Sequence, residues 1–195
     1  RTRVLANVVD PDKSITPGRG NLSFTSINLP RLGIKYGIVN GREQADWDGF
    51  YNELNELLEL VKDQLLDRFE IQCSKHIYNF PFLLGQGVWL DSEKLKPNDR
   101  IRRVLKHGTL SSGFIGLAET LVALTGKHHG ESEESRELGY EIISHMREFM
   151  DNKSEETGLN FTLLATPAEG LSGRFVRMDK KRFGEIPGVT DRDYY

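Results

Sequence analysis

The chain of 195 residues contains a single cysteine, Cys73, and this scarcity excludes two kinds of site. One thiol cannot close a disulfide within the chain, and it cannot form the cysteine cluster of a structural zinc site. Because Ile71 and Ile77 are its neighbours in sequence, we interpret Cys73 as a buried structural thiol rather than a nucleophile. So little cysteine is typical of proteins in the reducing cytosol, and we predict a cytoplasmic protein.

Strong charge and long apolar runs are also lacking. The formal net charge is -3, with 28% charged and 37% hydrophobic residues. This balance offers no excess of positive charge for a nucleic-acid-binding surface. No apolar run approaches the roughly 20 residues that a membrane helix requires. We therefore predict no nucleic-acid partner and no membrane partner.

Motifs of several common enzyme classes are missing as well. The sequence has no Walker motif, no dinucleotide-binding glycine fingerprint and no recognisable Ser/His/Asp set. Its histidines do not pair with carboxylates at metal-ligand spacing, so we predict no metal site within the chain. The histidines are His76, His107, His128, His129 and His145.

What the sequence does contain is an alternation of strand and helix patterns. Apolar residues spaced by three and four predict an amphipathic helix over residues 43–70. Three strands, each followed by a helix, predict an α/β fold with a parallel sheet or barrel. The apolar stripe of the long helix comprises Trp47, Phe50, Tyr51, Leu54, Leu57, Leu58, Val61, Leu65 and Phe69. The other predicted elements are strands over residues 22–29, 110–115 and 159–165, helices over residues 116–124 and 132–157, and a buried loop or short turn over residues 79–87.

The first predicted strand carries an unusual polar load and ends at Pro30. A strand that places short hydrogen-bonding side chains at inward positions usually lines a site. An edge strand with one solvated face would show the same pattern, so the residues alone leave both interpretations open. The polar members are Asn21, Ser23, Thr25 and Asn28, and the apolar members are Leu22, Phe24, Ile27 and Leu29.

Residues 166–172 follow the third predicted strand and also allow two interpretations. Thr166 at the N-cap, Pro167 at the first helical position and Glu169 at the third would form a capping box. The same segment could bind an anion, because free backbone N–H groups and the helix dipole favour phosphate. Gly170 and Ser172 would permit its close approach, whereas Glu169 opposes it unless its carboxylate turns back onto the cap.

Four segments distributed along the chain form a recognisable set. They are residues 18–31 (GRGNLSFTSINLPR), residues 68–72 with 78–82 (RFEIQ and YNFPF), residues 165–175 (ATPAEGLSGRF) and residues 186–191 (IPGVTD). Together they resemble the anaerobic, class III ribonucleoside-triphosphate reductases, in the family's order and over essentially the whole chain.

The resemblance implies a fold: part of a ten-stranded α/β barrel of the glycyl radical enzyme type, made of two parallel half-barrels. We expect this chain to be an internal fragment, the second half of that barrel, as its start at Arg1 and stop at Tyr195 also suggest. Its expected parts are a finger-loop exit and first strand (residues 1–30), an amphipathic helix (43–70), a strand–helix unit (108–126) and a helix, strand, phosphate-binding loop and helix (132–182).

The resemblance also implies a chemistry whose radical groups lie outside this chain. A glycyl radical makes a thiyl radical on a finger-loop cysteine, which abstracts the ribose 3′ hydrogen; the 2′ hydroxyl then leaves as water. Arg1 and Thr2 resemble the end of the finger-tip motif Gly-Cys-Arg-Thr, so the cysteine is expected just before Arg1. The radical glycine and zinc-binding cysteines are expected beyond Tyr195, and an ATP-binding regulatory domain upstream. No cofactor is expected within the chain.

The resemblance assigns roles to three groups of residues. Asn21 matches the active-site asparagine that hydrogen-bonds near the ribose hydroxyls, and an amide can donate and accept there without titrating. Ser23 points the same way along the strand. The expected phosphate-binding residues are Thr166, Pro167, Ala168, Glu169, Gly170, Leu171 and Ser172. The expected substrate-lining residues are Ser111, Ser112, Gly113, Phe114 and Ile115.

The predicted function is therefore the reduction of ribonucleoside triphosphates by an oxygen-sensitive glycyl radical enzyme, of which this chain is an inactive segment by itself. The expected partners are a radical-SAM activating protein with an iron–sulfur cluster, and a second copy in a homodimer; many family members use formate as reductant. One alternative is a non-catalytic nucleotide- or phosphate-binding module on the same scaffold. Another is a glycyl radical enzyme for acyl or diol substrates, although these carry no phosphate for residues 166–172.

Overall fold

The computed structural model describes residues 6–195, apart from the side chain of Glu169. Strands and helices alternate along these residues, which confirms the predicted α/β class. The finger-tip resemblance at Arg1 and Thr2 lies outside the described residues. The elements are β1 (Asn21–Asn28), α1 (Leu29–Tyr36), α2 (Trp47–Cys73), α3 (Arg102–Leu105), β2 (Thr109–Ile115), α4 (Leu117–Thr125), α5 (Glu133–Thr157), β3 (Asn160–Ala165) and α6 (Glu169–Phe183).

The three strands form one sheet in the order β1-β2-β3. Where β1 and β2 begin, the Thr109 amide donates to the Gly20 carbonyl at 3.0 Å. Where β2 and β3 end, the Thr166 amide donates to the Phe114 carbonyl at 3.0 Å. Neighbouring strands therefore run parallel, and the helices between them serve as the crossovers that parallel strands require.

The chain divides into two compact units. The first comprises the described residues up to Thr25 together with Val61–Ser112 and Phe149–Thr162, and the second comprises Ser26–Leu60, Gly113–Glu148 and Leu163–Tyr195. Each strand begins in the first unit and ends in the second. The carboxyl ends of the strands, where α/β folds place their sites, therefore belong to the second unit.

The core of the first unit contains the end of α2, where Val61, Leu65 and Phe69 are buried as predicted. Residues 79–87 were predicted as a buried loop or short turn, and most of them form exposed turns. Leu84 is buried, but Phe82 is 66% exposed, because successive turns direct most of this segment toward solvent. The other buried apolar residues of this unit are Cys73, Ile77, Trp89, Ile101, Val104, Leu105, Leu110, Met150 and Phe161.

The core of the second unit contains the first half of α2, where Phe50, Leu54 and Leu58 are fully buried. Burial of such a side chain contributes about 1.5–3 kcal/mol, so this stripe is a main source of the unit's stability. Trp47 was predicted in the stripe but is 38% exposed, since it is the first residue of the helix. Further buried residues include Leu121, Ala123, Leu124, Ile142 and Met146.

Helix α1 was not predicted, because Pro30 was interpreted as the end of the first strand. Pro30 instead lies in the first turn of α1. A proline is tolerated there, because the N–H groups of a first turn make no hydrogen bond within the helix. A Cβ on Gly33 of α1 would lie only 2.9 Å from the Thr120 carbonyl oxygen of α4. This glycine therefore permits the close packing of α1 on α4 in the second unit.

We expect Ser132→Ala to destabilise α5 by about 1 kcal/mol, the usual cost of losing an N-cap side chain. Ser132 precedes α5, and its Oγ accepts a hydrogen bond from the Ser135 amide at 3.2 Å, as the predicted cap requires. Hydrogen exchange of the first turn of α5 measures the change. Ser144→Ala, at an exposed position inside the same helix, is the control and should leave exchange unchanged; equal exchange in both variants contradicts the capping role.

Within residues 6–195, no helix is both long enough and apolar enough to cross a membrane.

Candidate active site

Two hydroxyl groups meet at the carboxyl end of the sheet. Ser26 of β1 and Thr166, just after β3, hydrogen-bond through their side-chain oxygens at 2.7 Å. Gly113 of β2 lies between them, and a Cβ there would overlap both oxygens. The absence of a side chain at Gly113 is therefore what lets hydroxyls from the two outer strands meet.

The start of α6 differs from the predicted capping box. The helix begins at Glu169, its N-cap is Ala168, and no side chain caps it. The Thr166 amide continues the sheet ladder and the Thr166 hydroxyl bonds Ser26, so Thr166 is not available as a cap. Pro167 precedes the helix instead of occupying its first position. The capping-box interpretation is wrong, because the N-cap Ala168 has no side chain that could accept from the first-turn amides of α6.

The remaining residues of this loop differ in their freedom to bind a ligand. Gly170 faces open space, since nothing lies within 4 Å of the position that a Cβ would take. Ser172 is buried, and its Oγ donates to the Tyr195 carbonyl oxygen at 2.7 Å. Leu171 is partly buried. Gly170 thus marks the open side of the loop, whereas Ser172 supports it from within the second unit.

The five residues of β2 that were predicted to line the substrate do not share one face. Side chains alternate along a strand, so Ser112 and Phe114 lie on the opposite face from Gly113. Ser111 Oγ pairs with Thr162 Oγ1 at 2.7 Å within the first unit. Ser112 is fully buried and its hydroxyl has no partner within the described residues. Ile115 shares the Gly113 face and is buried.

Asn21 and Ser23 belong to the first unit and lie on one face of β1. The Ser23 hydroxyl accepts a hydrogen bond from Arg68 Nη1 at 3.1 Å, which orients it toward α2. Asn21 is exposed and contributes to the wall of a pocket of about 210 Å³. Its amide has no hydrogen bond to any of the described side chains, so it is available to a ligand. The other lining residues are Leu22, Gln72, Phe80, Leu83, Leu84, Trp89, Ile101 and Leu105.

A buried carboxylate in the second unit was not predicted. Asp179 of α6 is 0% exposed and accepts hydrogen bonds from Asn28 Nδ2 at 2.7 Å, Arg31 Nε at 2.7 Å and the Tyr195 hydroxyl at 3.0 Å. Burial, reinforced by the Asp179 charge, raises the pKa of Tyr195 far above its usual range, so this phenol stays protonated. The cluster fixes the end of β1 beside α6.

A signal for Asp179 was present in the sequence. Val176, Asp179 and Phe183 follow one another at helical spacing, and Val176 is buried. A carboxylate at the position of an apolar stripe indicates a buried ion pair. The identity of its partners carried no comparable signal, because Asn28 and Arg31 lie about 150 residues earlier in the chain.

A second buried polar cluster lies in the first unit and holds Asn7. Asn7 Nδ2 approaches His107 Nδ1 at 3.3 Å, and Asn160 Nδ2 donates to Asn7 Oδ1 at 3.2 Å. His107 Nε2 faces Asp91 at 3.3 Å. Burial lowers the pKa of His107, despite the opposing effect of Asp91, so the ring is neutral at pH 7 and accepts from Asn7.

The other titratable candidates do not form a metal centre. Within the described part of the chain, no group of three or more His, Cys, Asp or Glu side chains could hold a metal ion. His128 and His129 lie in an exposed turn, where His128 faces Glu131 at 3.5 Å. Cys73 is buried at the end of α2, as expected for a structural thiol.

We expect Cys73 to resist alkylation in the native full-length protein. Burial raises its pKa to about 11, so only about one thiol in a thousand is ionised at pH 8. Iodoacetamide at pH 8, followed by peptide mass spectrometry, should modify Cys73 quickly only after unfolding in guanidinium chloride. The same peptide in the unfolded sample is the control, and rapid modification in the native protein contradicts a buried thiol.

Comparison with known proteins decides the family. The sequence model of the anaerobic ribonucleoside-triphosphate reductases matches residues 1–195. This chain belongs to the anaerobic ribonucleoside-triphosphate reductase family. The reductase of Haemophilus influenzae is 36% identical over 184 residues, which are 93% of this chain and 25% of that protein. The reductase of Enterobacteria phage T4 is 32% identical, over 93% of this chain and 28% of that protein.

Solved structures agree with the family at the level of fold. An anaerobic ribonucleotide reductase from Thermotoga maritima, with MES in its active site, superposes with a TM-score of 0.67 at 20% identity. The superposition covers 91% of this chain and 27% of that one. The predicted family and fold class are thereby confirmed, and the chain spans about a quarter of the length of these anaerobic reductases.

Proposed function

We propose that this chain is the substrate-binding part of an enzyme that reduces ribonucleoside triphosphates to deoxyribonucleoside triphosphates. The observation that carries the proposal is the family match over residues 1–195. The strand ends of the second unit support it, because they combine hydroxyl groups with a helix start that lacks a capping side chain. Such a helix start is a common binding position for phosphate.

In this proposal, residues 166–172 bind the triphosphate. The first-turn amides of α6 and the positive end of its dipole favour negative charge. Gly170 offers the approach, because outside its chain neighbours and its own helix backbone nothing lies within 4 Å of the position that a Cβ would take. Ser172 already donates its proton to the Tyr195 carbonyl, so its role is to hold the loop instead of donating to phosphate.

Asn21 contacts the ribose in this proposal, since its amide is free to donate to one hydroxyl and accept from another. Ser23 supports the same face of β1, where Arg68 fixes its oxygen. The unpaired amide of Asn21 makes it the stronger candidate of the two. Neither side chain needs to change its charge for this contact.

Radical chemistry enters from outside this chain. In the full-length protein, a glycyl radical installed by a radical-SAM activating protein with an iron–sulfur cluster would supply radical chemistry, and a cysteine outside this chain would exchange a hydrogen atom with the ribose 3′ position. Cys73 is not that cysteine, because it is buried and its thiol is held protonated. We extend the proposal to formate as reductant, to zinc elsewhere in the full-length protein, and to a homodimer.

Nucleotide-bound structures of related proteins support a nucleotide substrate and nucleotide effectors. The Thermotoga maritima anaerobic ribonucleotide reductase has been solved with dATP in its specificity site, and also in complex with dATP and CTP. We propose the same classes of ligand for the full-length protein that contains this chain.

Activity of the full-length protein tests the proposal. The protein is activated by its activating protein without oxygen and given ATP, CTP, GTP or UTP, with formate and in parallel with dithiothreitol. We expect formation of the deoxyribonucleoside triphosphate and loss of this activity on exposure to air. Nucleotide binding by a protein that carries the glycyl radical, without reduction under either condition, contradicts the proposal and favours the non-catalytic module.

A further inference from the structure

The hydroxyl groups of Ser26 and Thr166 form a hydrogen bond across β2, the middle strand of the sheet. The strand order is β1-β2-β3, so β1 and β3 are not neighbours. Their hydroxyls nevertheless come within 2.7 Å, because Gly113 of β2 leaves the space between them empty of side chain. Ser26 and Thr166 are both partly exposed as residues. The sequence assigned a role to Thr166 and Gly113 but none to Ser26.

A proton count shows what this pair can still do. Two hydroxyls carry two protons and four lone pairs, and one proton is used between them. Among the described side chains, which do not include that of Glu169, neither hydroxyl has a second partner. One O–H donor therefore remains, beside the loop that leads into α6. The acceptor best suited to it is an oxygen of a bound ligand.

We propose that Ser26 is a further substrate-binding residue, whose hydroxyl acts with that of Thr166 to donate a hydrogen bond to an oxygen of the bound ribonucleotide. The inference rests on the proposed function. The oxygen belongs either to a phosphate or to a ribose hydroxyl, since both accept the same donor. Gly113 has a supporting role, because it provides the gap in which the two hydroxyls and the ligand oxygen meet.

A similar pair elsewhere in the sheet provides a matched control. Ser111 and Thr162 also join β2 and β3 through hydroxyls at 2.7 Å, but Ser111 is fully buried. Thr162→Val removes that bond without changing the side-chain size. If hydroxyl pairs only tie strands together, Thr162→Val and Ser26→Ala should have the same effects on stability and none on affinity.

The experiment measures the substrate dissociation constant and KM of the full-length protein with Ser26→Ala. We expect Ser26→Ala to raise both by about 10- to 100-fold, the range for one hydrogen bond to a charged or strongly polar group. Thr162→Val should leave both unchanged. Gly113→Ala should raise the constants like Ser26→Ala, because its methyl displaces the hydroxyls. An unchanged dissociation constant in Ser26→Ala overturns the inference, whatever Gly113→Ala does.

Two competitive probes identify the oxygen. Inorganic tripolyphosphate should lose affinity for Ser26→Ala if the ligand oxygen is on a phosphate, whereas adenosine should lose affinity if it is on the ribose. Wild-type affinity of Ser26→Ala for both probes and for the substrate contradicts the inference alone. Absence of nucleotide binding or reduction by the wild-type protein contradicts the proposed function instead, so the two failures are distinguishable.

Discussion

Asn21→Ala in the full-length protein is expected to abolish reduction of ribonucleoside triphosphates while leaving nucleotide binding largely intact. The amide of Asn21 has no hydrogen bond to any of the described side chains, so the change removes a ligand contact without leaving a buried group unpaired. Loss of one preorganised hydrogen-bonding group lowers kcat by about 10² to 10³. The triphosphate, which provides most of the charge for binding, is assigned to residues 166–172 and should be held as before.

The measurement is kcat and the substrate dissociation constant under anaerobic conditions, with the glycyl radical quantified by electron paramagnetic resonance. Radical content should equal that of the wild type, which separates a lost substrate contact from failed activation. Asn52→Ala is the matched control, because Asn52 is an exposed asparagine of α2. Full activity in Asn21→Ala excludes the assigned role, and a large loss in Asn52→Ala shows that the assay reports general damage.

Asp179→Ala is expected to destabilise the second unit by about 3–5 kcal/mol, the usual cost of removing one partner of a buried ion pair. Asp179 is fully buried, and its loss leaves the donors of Asn28, Arg31 and Tyr195 without their acceptor. The damage should be concentrated at the end of β1 and in α6, because these are the elements that the carboxylate joins.

Hydrogen–deuterium exchange of the full-length protein measures this effect by element, together with the thermal midpoint. Peptides from β1 and α6 should exchange much faster in Asp179→Ala. Asp67→Ala removes an exposed carboxylate from α2 and should change stability by no more than about 0.5 kcal/mol. Asp179→Asn keeps an acceptor for Arg31, so its loss of stability should lie between those of Asp179→Ala and Asp67→Ala. Indistinguishable exchange in Asp179→Ala and Asp67→Ala would falsify the structural role of the buried carboxylate.

The strands and long helices could be predicted because their signals are local. The apolar spacing within α2 and the short apolar runs of β2 and β3 depend on neighbouring residues alone. Helix α1 could not be found in this way, since Pro30 has the same local preference after a strand and in the first turn of a helix. The close packing of Gly33 against α4, which the local sequence does not show, favours the helix at this position.

The site was predicted in part, and its gaps have a physical cause. The resemblance supplied Asn21 and residues 166–172, whereas the Ser26–Thr166 pair joins residues 140 positions apart and leaves no pattern in either segment. The prediction that Thr166 caps α6 was wrong for the same reason. The capping rule uses only neighbouring residues, whereas the Thr166 hydroxyl bonds the distant Ser26. Long-range hydrogen bonds of short polar side chains are invisible to local patterns.

A structure of the full-length protein with a bound ribonucleoside triphosphate, determined without oxygen, tests the central claim most directly. The account predicts phosphate oxygens within about 2.7–3.2 Å of the first-turn amides of α6 and a ligand oxygen at the Ser26–Thr166 pair. A substrate whose phosphates lie away from residues 166–172 would contradict the assignment of this chain as the substrate-binding part of the enzyme.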